Sequence, residues 1–225
     1  MLGPPGARLH DMPPPAGRHR RRSATAVAGA AVAAGLAVGA ATALAQGRLP
    51  SELAPLATSS GAWCLVAFVL ALPAPSVLSG GVAGAGALAG MLTGYGLTDL
   101  LRGYPSSSGL LVLWAGAALL AGPLLGVGAH WLPRAPGTRA ALGVSILAGV
   151  LLGEAGYGLT VLATTSDPRY WWGQAGLGAL ALLAAAVVRL RGVGVIVQSV
   201  LFTAAVATTF PVIAMHAGAL MLLAP

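Results

Sequence analysis

Apolar residues fill long stretches of this 225-residue chain, and the breaks between them gather charge, proline and glycine. Run after run reaches about 20 residues, the length that crosses a hydrocarbon core as an α-helix. Bounded by charges and Pro/Gly breaks, the runs predict spans at 24–45, 54–72, 77–98, 109–130, 139–163, 171–188 and 193–222. The expected fold is therefore an all-α polytopic membrane bundle of seven helices. The second span is the weakest. Pro55 shortens its apolar run, and the Pro73-Ala74-Pro75-Ser76 turn carries no charge, so a re-entrant segment and a count of six form the alternative.

Charge placement sets direction. With the N-terminus in the cytoplasm and seven crossings, the inner set holds Arg8, Arg18, Arg20, Arg21, Arg22, Arg134, Arg139, Arg189 and Arg191. The outer set holds Arg48, Arg102 and Arg169, with Glu52, Asp99 and Asp167 in the same loops. This is the bias of the positive-inside rule, and removing the second crossing would invert it. Trp63, Tyr104, Trp131, Tyr170, Trp171 and Trp172 fall near span ends as an aromatic belt, with Trp171 and Trp172 as candidate lid residues. Residues 1–23, rich in Pro and Arg, read as a disordered basic cytoplasmic tail, and 24–225 as one transmembrane domain. Ala43-Leu44-Ala45 resembles a signal-peptidase site, but the stretch before it is a full span, so the helix is expected to be retained.

Composition narrows the chemistry. Hydrophobic residues make up 57% and charged residues 8% of the chain, against about 25% charged in soluble domains. The net charge of +7 comes from arginine alone. Without lysine there is no phosphate-binding P-loop, and the Arg cluster before span one suits anionic lipid, so nucleic acid is not expected as a partner. The single cysteine, Cys64, forms no internal disulfide and reads as a small buried apolar residue. No metal-ligand spacing, nucleophile elbow or dinucleotide fingerprint occurs, so neither a cofactor nor an enzymatic activity is expected.

Gly94-Tyr95-Gly96-Leu97-Thr98 recurs as Gly156-Tyr157-Gly158-Leu159-Thr160, each copy trailed by an acid, an Arg and a Tyr. Both copies end spans that point the same way, which predicts a parallel duplication of a helical hairpin. Gly86/Gly90/Gly94, Gly35/Gly39, Gly122/Gly126 and Gly149/Gly153 lie at one-turn spacing and predict close helix packing within the chain, or a homo-oligomer face.

Glu154 is the one acid deep inside a predicted span. A charge there costs about 3 kcal/mol on insertion scales, so it is expected to face the bundle and to mark a solute or proton path, or else to act as hydrogen-bonded glue. Tyr157 lies one turn on and is placed in its pocket. Gln198, Thr209 and His216 share a helical stripe in span seven, expected to face away from lipid, with Pro211 freeing a carbonyl beside Thr208 and Thr209. Asp99 and Arg102, at helical spacing, form either a solvated surface pair or a charged rim at the outer mouth.

Ala62-Trp63 opening span two, Gly94-Tyr95, Trp114 and Glu154 through Tyr157 together resemble an uncharacterised family of small actinobacterial polytopic membrane proteins over about residues 25–222. The resemblance implies the architecture and adds no mechanism. Substrate-binding subunits of energy-coupling-factor vitamin transporters are similarly small and helical, but their Ala-xxx-Ala motifs carry little weight in a chain this rich in alanine. The expected protein is thus a plasma-membrane permease or solute-binding subunit. It would open outward around Glu154, with Tyr95 and Tyr157 as walls and His216, Asp99 and Arg102 at the mouth, and take a small solute or a proton. The alternative is a non-transporting partner that packs through its glycine faces.

Overall fold

The computed structural model describes the backbone of residues 16–104 and 108–223, and the side chains of 24–104, 109 and 111–215. All seven expected helices are present: α1 (Ala16–Ala45), α2 (Ser60–Ala71), α3 (Val77–Leu101), α4 (Ser108–Arg134), α5 (Gly137–Thr160), α6 (Pro168–Val188) and α7 (Val193–Leu223). Six are long and apolar enough to cross a membrane. The first begins at Ala16, inside the stretch read as a tail; residues 1–15 lie outside the described residues.

The exception is α2. Its 12 residues span about 18 Å at 1.5 Å per residue, against a hydrocarbon core of about 30 Å. Its neighbours nevertheless require a crossing. Ideal Cβ atoms at Gly35 and Gly39 would meet the carbonyls of Ala87 and Met91, and those at Gly90 and Gly94 the carbonyls of Val32 and Leu36. Residue numbers on α1 and α3 rise together, so the two helices are parallel and the chain between them returns through the bundle. It does so in two pieces: an irregular stretch after α1 containing a 3-10 turn at Ala54–Ala57, then α2. The predicted second span is therefore one crossing broken near residue 59.

The remaining helices alternate. Gly80 and Gly84 of α3 face Gly126 and Gly122 of α4, and Gly128 of α4 faces Gly143 of α5, both antiparallel. Gly178 of α6 lies on Ala148 and Leu151 of α5, also antiparallel, while Gly149 and Gly153 of α5 lie on Thr203 and Ala207 of α7, in parallel. One end of the bundle thus carries Arg134, Arg139, Arg189 and Arg191, and the other Glu52, Asp99 and Asp167, as the charge pattern predicts. We call these the basic and acidic ends. Every glycine ridge read from the sequence is used inside the chain, where small residues let backbones touch.

The duplicated pentapeptides lie at corresponding ends of the parallel helices α3 and α5, in unlike surroundings. Gly94 abuts α1, whereas an ideal Cβ at Gly156 has nothing within 4 Å; Gly96 meets only Leu111, whereas Gly158 lies under the ring of Trp171.

Candidate functional site

Glu154 is 5% exposed. It sits six residues before the end of α5, about 9 Å below the acidic end, and its carboxylate caps the broken crossing. The Ser59 hydroxyl donates to Oε2 at 2.7 Å, the Gly61 N–H to Oε2 at 2.7 Å and the Ser60 N–H to Oε1 at 2.8 Å. From α6 the Gln174 amide donates to Oε2 at 2.8 Å and to Leu151 O at 3.3 Å. Ser59 is the N-cap of α2 and also accepts the Ala62 N–H at 3.1 Å. The first N–H groups of a helix have no partner within it, and the dipole makes that end positive. A carboxylate from another helix satisfies both needs inside the bundle.

Gly61 makes the approach workable. A Cβ there would stand 2.6 Å from Glu154 Oε2 and 2.9 Å from Gln174 Nε2. On the acidic side, one turn above Glu154, Trp171 covers Gly158 and donates from Nε1 to Ser166 Oγ at 2.8 Å. Of the two candidate lid residues, buried Trp171 therefore roofs the site, while Trp172 is exposed.

The far end of α2 has the opposite complement. Arg134 Nη1 donates to Leu72 O at 3.0 Å, and His130 Nδ1 lies 2.9 Å from Ala74 O. The short helix thus runs between an anion at its N-terminus and an arginine at its C-terminus, as its dipole favours.

The other expected site residues lie elsewhere. Tyr157 is half-buried without a hydrogen bond to Glu154 among the described residues. Tyr95 bonds Gln46 Oε1 at 2.8 Å and meets Trp63 edge-on, on the α1 side of α2. Asp99 is not a solvated rim but 6% exposed. Its partner Arg102, 3.4 Å away, also donates to Ala43 O, so the pair clamps the end of α1 to α3.

The α7 stripe is corrected. Gln198 is exposed and accepts from Thr138 at 3.0 Å, and exposed Thr209 donates back to Ala205 O at 2.7 Å. Ser199 and Thr203 are the buried polar positions instead. A threonine that bonds its own helix four residues back can face lipid. Pro211 sits inside the continuing helix, and the carbonyl it frees, Ala207 O, is turned to Gly153. The His216 side chain lies outside the described residues.

Among the described residues the expected outward-opening cavity is not seen at Glu154, which is buried together with Ser59, Gly61 and Gln174. Two apolar surface depressions, about 380 and 300 Å³, lie between α1 and α2 and between α5 and α7. Glu154 and its hydrogen-bond partners line neither. Ser59, Gly61 and Gln174 were not singled out from the sequence. The signals were present: Ser59-Ser60-Gly61 opening a helix after Pro55, and a lone Gln within an apolar span.

Six membrane-length apolar helices and an interrupted crossing capped by a carboxylate define a multi-pass integral membrane protein. Within that class, residues 18–219 match the model of a family of unknown function, DUF6518, and the chain belongs to it. No curated protein and no solved structure matches the chain.

Proposed function

We propose that this protein is a non-enzymatic small-solute permease of the plasma membrane, or the solute-binding membrane subunit of one, seen in its closed form. Glu154 and the half-helix α2 form its working site. The observation that carries this reading is the placement of a carboxylate on the N-terminus of an interrupted crossing inside the bundle. Interrupted helices are where transporters hold charged groups in mid-membrane, and intramembrane acids mark ion and solute paths. A serine or glutamine would cap α2 without the several kcal/mol that a buried charge costs, so the choice of Glu favours a role beyond glue. The partner reading is the less favoured one, since the paired glycine ridges read from the sequence pack within the chain.

The test is uptake into proteoliposomes of labelled amino acids, carboxylates, sugars and vitamins, with an entrapped pH dye. Wild type should take up at least one class with proton entry, and a folded Glu154→Gln variant should not. Equal uptake by that variant, or a wild type that neither takes up nor binds any class, overturns the proposal.

A further inference from the structure

The cation that such a site takes follows from the groups around the carboxylate. All four groups bonded to Glu154 act as donors: the Ser59 hydroxyl, the Ser60 and Gly61 N–H groups and the Gln174 amide. Hard metal ions are held by rings of oxygen ligands. Here N–H groups take up the directions such ligands would need, and their positive ends repel a second cation. Among the described residues, no cluster of three or more His, Cys, Asp or Glu side chains stands ready to hold a metal.

A proton has a simpler need, which is one acceptor. The Ser59 hydroxyl lies 2.7 Å from Glu154 Oε2 and 3.1 Å from Gln174 Oε1. It can therefore turn its hydrogen from Glu154 to Gln174 and offer its own oxygen to a protonated Glu154 across the same 2.7 Å. It keeps the Ala62 N–H bond throughout.

We infer that the cation taken by Glu154 is a proton and no metal ion, and that the Ser59 hydroxyl, by turning to Gln174, makes the carboxyl protonatable in place. The inference rests on Glu154 being the working site of a permease. A hydronium ion gives up one O–H bond and leaves as water, while an O–H bond forms at Oε2. Ser60 and Gly61 then donate to a neutral group, and neutral hydrogen bonds are about half as strong as charge-assisted ones. Proton binding thus loosens the α2 N-terminus, which is the first movement an opening toward the acidic end requires. The titratable neighbours are Cys64 on α2 and Tyr170 on α6. No Arg or His side chain of the described residues bonds to Glu154, and α4 and α7, which also pack on α5, bring no titratable side chain into hydrogen bonding with it.

Infrared difference spectra of the full-length protein in lipid nanodiscs, taken between about pH 8 and pH 4, test this. The carboxylic-acid carbonyl band of Glu154 is assigned by its loss in Glu154→Gln. It should appear as the pH falls, unchanged by sodium, potassium or calcium salts. Ser59→Ala should need at least tenfold more protons to form it, while Ser59→Thr, which keeps the hydroxyl, follows wild type. If Ser59→Ala does not fold, Ser59→Gly, which removes the hydroxyl and is tolerated at an N-cap, carries the same expectation. A metal-dependent shift of the Glu154 carboxylate band overturns the inference. So does a titration unchanged in these variants, or the lack of any Glu154 acid band wherever circular dichroism reports a folded protein. Uptake unaffected by Glu154→Gln beside an intact titration would sink the permease reading alone, whereas Glu154-dependent uptake driven by a sodium gradient would sink the proton and spare the permease.

Discussion

Two identical pentapeptides in one chain permit a test in which the chemistry of substitution is constant and only the surroundings differ. Alanine at Gly94 would place its Cβ 2.1 Å from Leu36 O and 2.9–3.0 Å from Leu36 C and Cα, where ordinary contact begins near 3.4 Å. Those atoms are backbone, so α1 must retreat by about 1 Å along an interface built on glycine. A gap of that size forfeits about a quarter to a half of each van der Waals well, and overpacking costs about 1–3 kcal/mol, so we expect a loss of about 3 kcal/mol. Gly156→Ala, with open space around it, should be neutral or stabilise by about 0.5–1 kcal/mol, since alanine loses less entropy in a helix. The second pair reverses the order. Gly96→Ala meets only Leu111 at 3.8 Å and should be tolerated, while Gly158→Ala strikes the Trp171 ring at 2.1 Å and should cost as much as Gly94→Ala. Reversible unfolding in mixed micelles, followed by far-ultraviolet circular dichroism, gives the four values. Equal losses at all four glycines, or a Gly156 variant weaker than the Gly94 variant, would refute the parallel α1–α3 packing.

Thr203 carries the one buried side-chain oxygen among the described residues without a hydrogen-bond partner. Thr203→Val should therefore stabilise the α5–α7 pair by about 1 kcal/mol in the same assay, and a loss of that size would show that the hydroxyl has a partner. The broken crossing predicts that residues 51 and 73 lie on opposite sides of the membrane. Single cysteines replacing Ser51 and Pro73 in a Cys64→Ala background should react with an impermeant maleimide from opposite faces of oriented vesicles; labelling from one face would remove the crossing.

Helix direction, the charge-bearing ends and the sheltered position of Glu154 were legible in the sequence because each follows from bilayer thickness and the cost of charge in hydrocarbon. The break at residue 59 was not. Pro55 and Thr58-Ser59-Ser60-Gly61 weaken the apolar run, but what fixes the start of α2 is a carboxylate 95 positions later in the chain than Ser59, which no local window contains. The polar face of α7 was misread for a different reason. Spacing placed Gln198 and Thr209 on one stripe, but back-bonding to the helix and a bond to Thr138 satisfy them outside the bundle. Ser199 and Thr203 pack inward instead. The repeat was visible as letters, but its surroundings were not, because α3 takes α1 as its parallel neighbour and α5 takes α7.

The capping of α2 also bears on how the chain is assembled. When the ribosome has delivered residues 46–76, neither Glu154 nor Gln174 has been made, and a 12-residue helix is too short to settle in the bilayer by itself. The α2 N-terminus therefore cannot gain its carboxylate cap until α5 and α6 have been made. Until then its first N–H groups lack that partner, whereas the glycine contacts between α1 and α3 require neither α5 nor α6.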